Sequence, residues 1–304
     1  MGLLDGKVAI VTGAGRGLGR AEAIDLAAQG ATVVVQDLGA AMDGTGADEH
    51  PSHDVVTEIE KAGGKAEAHF GDIADYDYAR SLIDHAVEKY GDLSIVVNNA
   101  GILRDRMIFN MEEAEWDAVI RVHLKGHFAT MRHAAAYWRN RAKEGQDVYG
   151  RVINTTSEAA LGGSPGQPNY AAAKAGIISL TTSMANGMVK YGVTANAIAP
   201  RARTVMTTTS MPQMFGQEVK EGEFDVWAPE NVAPLVSFLA SPEAARISGQ
   251  VFIVWGNQVS LLQGPRVEQR FETDGRWSAQ GLAKEMTPVF DGREPLAGFV
   301  LPMG

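Results

Sequence analysis

The stretch Lys7-Val-Ala-Ile-Val-Thr-Gly-Ala-Gly-Arg-Gly-Leu-Gly19 decides the fold of this 304-residue chain. Its first part, Lys7 to Thr12, is a short apolar run with β-branched residues, which is typical of a buried strand. The alanine-rich stretch from Leu18 to Gln29 predicts a helix, and Thr32-Val-Val-Val-Gln-Asp37 predicts the next buried strand. Strand, glycine turn, helix and strand make a βαβ unit, whose crossover we expect to be right-handed.

The glycine turn of this unit predicts a dinucleotide site. Gly13, Gly17 and Gly19 let the backbone approach a pyrophosphate, which would lie at the helix N-terminus, where unpaired N–H groups point outward. The predicted site also includes Arg16 and Leu18, which lie between these glycines. A purely structural turn is the alternative, but the strand-to-helix setting favours the binding interpretation.

Asp37 indicates which dinucleotide binds. It closes the second strand about 20 residues after the glycine turn, where an acid hydrogen-bonds the adenosine ribose hydroxyls. A carboxylate there repels the 2′-phosphate of NADP, whereas Arg16 in the turn attracts it. Because Leu38 adds no positive charge beside Asp37, the sequence favours NAD over NADP.

Strand and helix patterns alternate further along the chain and predict the fold class. We expect a single Rossmann-type, doubly wound parallel sheet of about seven strands with helices on both faces. The remaining strands are predicted at 65–70, 94–98, 151–156, 193–200 and 250–255, and the remaining helices at 53–62, 76–90, 113–143, 169–191 and 278–286. We expect a dinucleotide-binding catalytic domain over residues 1–257 and a C-terminal extension, 258–304, packed on the same domain.

Residues 201–227 predict a substrate lid within the catalytic domain. A structureless stretch of this length is often a lid. Its methionines, Met206, Met211 and Met214, would make an adaptable cover for an apolar substrate. Ordinary core packing by a short helix is the alternative interpretation.

Several further residues follow predicted strands, at the sheet edge where ligands bind in such folds. Asp72 follows the third strand and would hydrogen-bond an adenine amino group, or else form a helix N-cap or turn. Gly101, after the fourth strand, permits close approach of the backbone to a ligand. The sequence therefore adds to the predicted cofactor site Asp72, Ile73, Asn99, Ala100, Gly101 and Pro200.

Tyr170 and Lys174 predict proton-transfer chemistry. Four residues apart, they would lie on one face of a helix, about one turn apart. A positive charge on Lys174 would lower the pKa of Tyr170 from its reference value of about 10, toward neutrality. Ser157 ends a β-rich run and can hold a substrate oxygen. Because Tyr-x-x-x-Lys is common by chance, a surface pair on a helix is the alternative.

Composition excludes several classes of function. The net charge of −10 and the pI of about 5.2 predict no binding to nucleic acid or to an anionic membrane. The chain has no cysteine, which excludes disulfides and thiolate metal sites, and we expect no metal. The N-terminus lacks the apolar region of a signal peptide, and no run of about 18 apolar residues exists, so we expect a cytoplasmic protein.

As a set, these motifs resemble the short-chain dehydrogenase/reductase family. The resemblance covers about residues 5–257 and is carried by Thr12-Gly-x-x-x-Gly-x-Gly19, Asp37, Asn98-Asn-Ala-Gly101, Ser157, Tyr170-x-x-x-Lys174 and Pro200. Within that family the chain resembles the (R)-3-hydroxyacyl-CoA dehydrogenase domains of peroxisomal multifunctional enzyme type 2, also called 17β-hydroxysteroid dehydrogenase type 4, and their bacterial relatives. That likeness rests on segments 36–39, 101–106, 116–117, 121–126, 198–200 and 286–288.

The resemblance implies an NAD-dependent enzyme that interconverts a secondary alcohol and a ketone. Tyr170 would move the proton, Ser157 would steady the alcohol oxygen, and Lys174 would hold the nicotinamide ribose. The implied substrate is a 3-hydroxyacyl-CoA with a fatty acyl or sterol side chain. The alternatives are a hydroxysteroid, a 3-oxoacyl group on a carrier protein, or a non-catalytic dinucleotide sensor. The resemblance also implies a homodimer or homotetramer.

Two positions depart from the wider family. His123 stands where most members have an asparagine that helps to hold a proton-relay water. In this respect the chain resembles the dehydrogenase domains of multifunctional enzyme type 2, which also have histidine there. A lone helical histidine is also typical of a packed side chain. Pro200-Arg201 replaces Pro-Gly. Thr204 is the implied partner of the nicotinamide carboxamide, and Thr207 is the alternative.

Overall fold

A computed structural model describes residues 2–210, 212–217, 219–220 and 222–293 of the chain. The chain divides into two compact units, Met1–Leu262 and Gln263–Gly304. The first contains the sheet and ten α-helices among its described residues, and the second contains one described α-helix. In the part of the chain that the structure describes, no helix is both long and apolar enough to cross a membrane.

The first unit is built on one eight-stranded sheet. Its strands are β1 (Val8–Thr12), β2 (Thr32–Asp37), β3 (Lys65–Phe70), β4 (Ile95–Asn98), β5 (Gly150–Thr155), β6 (Val193–Pro200), β7 (Val251–Trp255) and β8 (Gln258–Leu261). They lie in the order β3-β2-β1-β4-β5-β6-β7-β8, and the first seven are parallel. The predicted fold class is therefore confirmed.

The helices lie on both faces of this sheet. They are α1 (Gly17–Ala28), α2 (His50–Lys61), α3 (Tyr76–Tyr90), α4 (Glu113–Val119), α5 (Gly126–Lys143), α6 (Ala159–Gly162), α7 (Pro168–Met188), α8 (Val205–Ser210), α9 (Pro212–Phe215) and α10 (Ala233–Ala240). One core layer contains side chains of α1, α2 and α10, and the other contains side chains of α3, α5 and α7. The second unit contains α11 (Ala279–Phe290).

The eighth strand was not predicted from the sequence. β8 pairs antiparallel with β7, and all four of its residues are exposed. An exposed edge strand carries no buried apolar run, so its sequence lacks the signal by which the other strands are found. Residues 201–227 likewise contain two short helices, α8 and α9, instead of a structureless stretch. Met211 of the predicted lid lies outside the described residues.

The single helix predicted at 113–143 is interrupted. Between α4 and α5 the segment Ile120–Lys125 forms a π-helical turn, in which one extra residue widens the helix. His123 lies in this turn and is buried. Its ring reaches the backbone of Ile102, and this tertiary contact accompanies a widening that the apolar periodicity does not reveal.

Candidate active site

A cleft of about 300 Å³ lies at the carboxyl ends of β1, β2, β3 and β4. It brings together most of the residues predicted to hold a cofactor, which are Gly13, Arg16, Gly17, Leu18, Asp37, Asp72, Ile73, Asn99, Ala100, Gly101 and Thr204. Gly19, Pro200, Tyr170 and Lys174 do not line it. The structure therefore places the predicted dinucleotide residues in one cavity, with the proposed catalytic side chains outside its lining.

The glycine turn is locked to the end of β4. Asn99 Nδ2 donates to the carbonyl oxygens of Thr12, at 3.2 Å, and Gly13, at 3.0 Å. A Cβ at Gly19 would lie 2.3 Å from the Gly13 oxygen, and one at Gly13, where φ is +63°, would lie 2.7 Å from Ala100 Cα. Side chains at these positions would push the turn away from β4. The close packing thus explains why two glycines of the turn are required.

The first turn of α1 has no side-chain cap. Arg16 occupies the N-cap position and makes no capping hydrogen bond. The N–H groups at this helix end are left for another acceptor, and the end lies at the cleft, whose lining includes Gly17 and Leu18. These residues fit a dinucleotide pyrophosphate, which takes hydrogen bonds from backbone N–H groups at such a helix end.

Asp37 is held in place by the backbone on both sides. One carboxylate oxygen accepts from the Gly15 N–H at 2.7 Å, and the other accepts from the Gly39 N–H at 2.5 Å. Each oxygen keeps a lone pair for a further donor, such as a ribose hydroxyl. Arg16 lines the same cleft, so the cleft contains both the carboxylate that would repel a 2′-phosphate and the guanidinium that would attract it.

Asp72 already has partners for both carboxylate oxygens. Oδ1 accepts from the Ala74 N–H at 2.9 Å, and Oδ2 forms an ion pair with Arg121. The N-cap of α3 is Asp75, so the turn, and not the N-cap, is the correct structural alternative for Asp72. Arg121 also lines the cleft and was missed as a site residue, because its π-helical position cannot be read from the sequence.

Tyr170 and Lys174 lie one turn apart on α7, as their spacing predicts. Pro168 begins this helix, and the Asn169 amide anchors its first turn to the backbone oxygens of Arg104 and Glu115. The ammonium of Lys174 is buried and donates to the Thr155 carbonyl oxygen at 2.6 Å, 5.4 Å from the centre of the Tyr170 ring. The interpretation as a surface pair is therefore wrong for Lys174.

The direction predicted for the pKa of Tyr170 is also wrong. Burial raises the pKa of this phenol to about 12; the Ser157 hydroxyl opposes the shift and the charge of Asp105 adds to it. Burial lowers the pKa of Lys174 from 10.5 to about 7. Desolvation is the largest cause of both shifts, and the sequence does not show how far each of these side chains is removed from water. The neutral phenol is thus strongly favoured at neutral pH.

His123 is fixed between Gly101 and Tyr170. A Cβ at Gly101 would come 2.3 Å from His123 Cε1, and the imidazole lies edge-on to the Tyr170 ring with centroids 5.2 Å apart. Burial, reinforced by the charge of Lys174, holds the pKa of His123 well below its ordinary value, so the imidazole is neutral. His123 is both packed and adjacent to the proposed proton donor.

His127 was missed by the sequence analysis. Its side chain is buried, and burial together with the charge of Lys174 lowers its pKa to about 3. Its spacing of four residues after His123 was the available signal, since that spacing places both near one helix face. The two neutral histidines make Lys174 the titrating cation of this group.

Pro200 ends β6 and leads into the segment that carries Thr204. Thr204 lines the cleft, whereas Thr207 does not. The Thr207 hydroxyl donates to the Ala202 carbonyl oxygen at 2.7 Å and lies 3.2 Å from the Thr204 hydroxyl. The geometry therefore favours Thr204 over Thr207 as the residue that reaches a ligand.

Comparison with known proteins identifies the class of protein that this fold and site define. Residues 7–215 match the family described as short chain dehydrogenase. The chain is 53% identical to the Hydroxyacyl-CoA dehydrogenase ChsB1 of Mycobacterium tuberculosis over 97% of its length and 92% of the relative. It is 50% identical to a short chain dehydrogenase from Mycobacterium avium of known crystal structure, with a TM-score of 0.84, covering 99% of this chain and 98% of that one.

A third relative is larger. The chain is 38% identical to the mouse Peroxisomal multifunctional enzyme type 2 over 86% of its length, but it spans only 33% of that enzyme. The chain therefore belongs to the short-chain dehydrogenase/reductase family and is an oxidoreductase, as the motifs predicted. Its likeness to multifunctional enzyme type 2, also predicted, is confirmed.

The shifted pKa of Lys174 predicts a pH dependence of stability. Between about pH 7 and pH 10.5 the unfolded chain holds the proton that the folded chain has released, so folding becomes more favourable as the pH rises. Relative to Lys174→Met, the wild-type protein should gain up to about 1.4 kcal/mol of unfolding free energy per pH unit in this range. Urea unfolding followed by tryptophan fluorescence measures the difference.

Lys61→Met, which removes an exposed lysine on α2, is the matched control and should leave the pH dependence unchanged. Below about pH 7 both states of the wild-type chain hold the proton, so its curve and that of Lys174→Met should run parallel there. A constant difference across the whole range would contradict the burial of Lys174 as a titrating amine.

Proposed function

We propose that this oxidoreductase interconverts 3-hydroxyacyl-CoA and 3-oxoacyl-CoA with NAD as cofactor, on a fatty acyl or sterol side chain. The observation that carries the proposal is the pair of half-buried Tyr170 and buried Lys174 on α7, beside a glycine-lined cleft that fits a dinucleotide. The acyl-CoA substrate class is supported by the similarity to a protein named hydroxyacyl-CoA dehydrogenase.

The proposed roles follow from where the side chains lie. Tyr170 exchanges a proton with the substrate oxygen, and Ser157 hydrogen-bonds that oxygen and steadies its developing charge. Lys174 holds the nicotinamide ribose hydroxyls. When bound, NAD accepts the hydride from the alcohol carbon or returns it as NADH. Thr204, at the cleft, holds the carboxamide, and His123 supports the Tyr170 ring edge-on.

The raised pKa of Tyr170 gives the two directions of reaction different requirements. In ketone reduction the neutral phenol donates its proton, and a pKa of about 12 keeps that proton in place at neutral pH. In alcohol oxidation the phenol must first lose its proton, which a positive charge beside it favours. Protonated Lys174 supplies that charge, and its own pKa of about 7 leaves it partly protonated at neutral pH.

The cofactor preference rests on Asp37. Its carboxylate is fixed by the N–H groups of Gly15 and Gly39, so it cannot swing away from an incoming 2′-phosphate without losing both hydrogen bonds. This geometry supports NAD over NADP, against the attraction of Arg16. The segment 201–227 would cover the acyl group, since it contains Thr204 and begins at Arg201, which binds Glu158, the residue after Ser157.

An apolar surface on the π-helical turn, α5 and α7 supports a homodimer or homotetramer. An open groove lies there, lined by Ile120, Leu124, Lys125, Phe128, Gly176, Ser179 and Leu180. Phe128 is 44% exposed. A self-complementary contact between two copies would bury this face, as two-fold symmetric interfaces do.

The first test of the proposed function is a substrate panel. NADH formation should be strong with an (R)-3-hydroxyacyl-CoA and weak with the (S) form, with free hydroxysteroids and with carrier-protein thioesters. Tyr170→Phe should lower kcat by about a thousandfold, because the group that takes the proton from the alcohol is gone, and should leave NADH binding nearly unchanged. Tyr90→Phe, at the end of α3, is the control and should behave as wild type.

Each other outcome of the panel has a defined meaning. Activity confined to hydroxysteroids would replace the proposed substrate and keep the site. Binding of NADH with no oxidation of any alcohol would support a dinucleotide sensor instead. Wild-type turnover by Tyr170→Phe would contradict the role of Tyr170.

The cofactor preference is tested by Asp37→Ala. Removing the carboxylate leaves Arg16 as the charged group facing a 2′-phosphate, so the ratio of kcat/KM for NAD over NADP should fall by about tenfold or more. Asp84→Ala, on the exposed face of α3, is the matched control, because it removes the same charge and its ion pair with Arg80 lies within that helix. Unchanged discrimination in Asp37→Ala would refute the ribose role.

The oligomer is tested by Phe128→Glu. A carboxylate buried without a partner at an interface between copies is unfavourable. Sedimentation at micromolar concentration should therefore show a shift from the wild-type oligomer to a smaller species. Leu3→Glu places the same charge on an exposed residue near the N-terminus and should sediment as wild type. A monomeric wild-type protein would contradict the proposal.

A further inference from the structure

Arg201 and Glu158 form a two-point ion pair at the edge of the candidate site. The guanidinium of Arg201 donates through Nε to one Glu158 carboxylate oxygen at 2.6 Å, and through Nη2 to the other at 2.7 Å. Both side chains are largely buried, with 15% and 22% exposure. The bond to Glu158 raises the pKa of Arg201, so the arginine stays charged. Two parallel hydrogen bonds between charged groups fix orientation as well as distance.

The ion pair lies just beyond the last hydrogen bond between β5 and β6. The hydrogen bonds between β5 and β6 end with the Thr156 N–H donating to the Ile198 oxygen at 2.7 Å. Beyond this point the chain of β5 continues to Ser157 and α6, and the chain of β6 continues through Pro200 to Thr204 and α8. Glu158 is the residue after Ser157, and Arg201 is the residue after Pro200. The ion pair therefore joins the two segments directly after they separate.

Arg201 also contacts β7. Its guanidinium lies over the Trp255 ring at 5.1 Å, and Trp255 stacks on Trp227 with centroids 5.1 Å apart. The Arg201 N–H also donates to the Val254 oxygen at 3.0 Å. The side chain of Arg201 is thus fixed by β7 on one side and by Glu158 on the other.

A second ion pair fixes the next part of the same segment. Arg203 binds Asp225 through both terminal guanidinium nitrogens, Nη1 at 2.9 Å and Nη2 at 3.2 Å, and donates through Nε to the Phe215 oxygen at 2.9 Å. This pair connects residues within 201–227, whereas the Arg201 pair connects that segment to the residue after Ser157. Of these two ion pairs, the Arg201 pair is therefore the one that links the two segments.

We infer that Glu158 and Arg201 are positioning residues that set the Ser157 hydroxyl and the Thr204 segment at a fixed separation, so that the substrate oxygen and the nicotinamide end of the cofactor are held together. The inference about turnover rests on the proposed function, but the inference about cofactor binding needs only that a dinucleotide occupies the cleft. Neither residue touches the reacting atoms.

The kinetic test compares Glu158→Gln, Arg201→Met and the charge-reversed pair E158R/R201E. Each single variant should lower kcat by about tenfold to a hundredfold, because a displacement of about 1 Å at a reacting group has that effect. The KM for the alcohol should change less than kcat. The reversed pair restores the attraction and should recover part of the lost rate, although a carboxylate in place of the Arg201 guanidinium would not stack on Trp255.

The binding test does not require turnover. In the proposed binding mode the nicotinamide of NADH contacts the Thr204 segment, whereas ADP-ribose lacks the nicotinamide. Both single variants should bind NADH about tenfold more weakly and ADP-ribose with wild-type affinity. Titration by calorimetry measures the two dissociation constants, so the inference can be decided even if the wild-type protein oxidises no 3-hydroxyacyl-CoA.

Asp92→Asn provides the matched control. It breaks the ion pair of Asp92 and Arg141, which is 2.8 Å long and located before β4, away from the segments that Glu158 and Arg201 join. This variant should lose stability and keep the wild-type kcat and NADH affinity. Three results would overturn the inference: wild-type kcat and NADH affinity in both single variants, equal weakening of NADH and ADP-ribose, or a folded reversed pair no better than the single variants.

Discussion

The candidate site depends on the burial of one lysine. The side chain of Lys174 is 2% exposed, its ammonium donates to a backbone carbonyl, and no ion pair within the described residues involves it. The fall of its pKa from 10.5 to about 7 corresponds to about 5 kcal/mol of disfavoured charge. A buried cation without a carboxylate partner is costly, and groups with strongly shifted pKa values concentrate at functional sites. The burial of Lys174 therefore indicates a functional site more specifically than the Tyr-x-x-x-Lys spacing does.

Those surroundings are built by the sheet. β5 ends at Thr155, whose carbonyl oxygen receives the ammonium, and α7 begins where Asn169 is anchored, so both ends of the Tyr170–Lys174 turn are fixed. At the neighbouring strand ends, Asn99 ties the glycine turn to β4. Parallel strands place all their carboxyl ends on one edge, and this topology brings groups from distant parts of the sequence into one place.

Sequence reasoning succeeded where the determinants are local. The glycine turn, Asp37 and the spacing of Tyr170 and Lys174 each lie within one strand or helix junction, and the structure places them as their patterns imply. It failed where a property depends on the burial of a side chain or on a partner that is distant in the sequence. The pKa of Tyr170 moves upward because the phenol is desolvated, and the partner of Asp72 is Arg121, 49 residues away. Neither fact has a signature in the neighbouring sequence. β8 and the π-helical turn escaped prediction for the same reason.

Burial also determines the charges around Tyr170. Two histidines lie beside Lys174, and both are held neutral by burial and by the charge of the lysine itself. The positive charge available to the phenol therefore depends on one amine whose pKa lies near 7. Burial alone favours the neutral phenol and partly deprotonates Lys174, so the role proposed for Tyr170 in alcohol oxidation depends on keeping that amine charged.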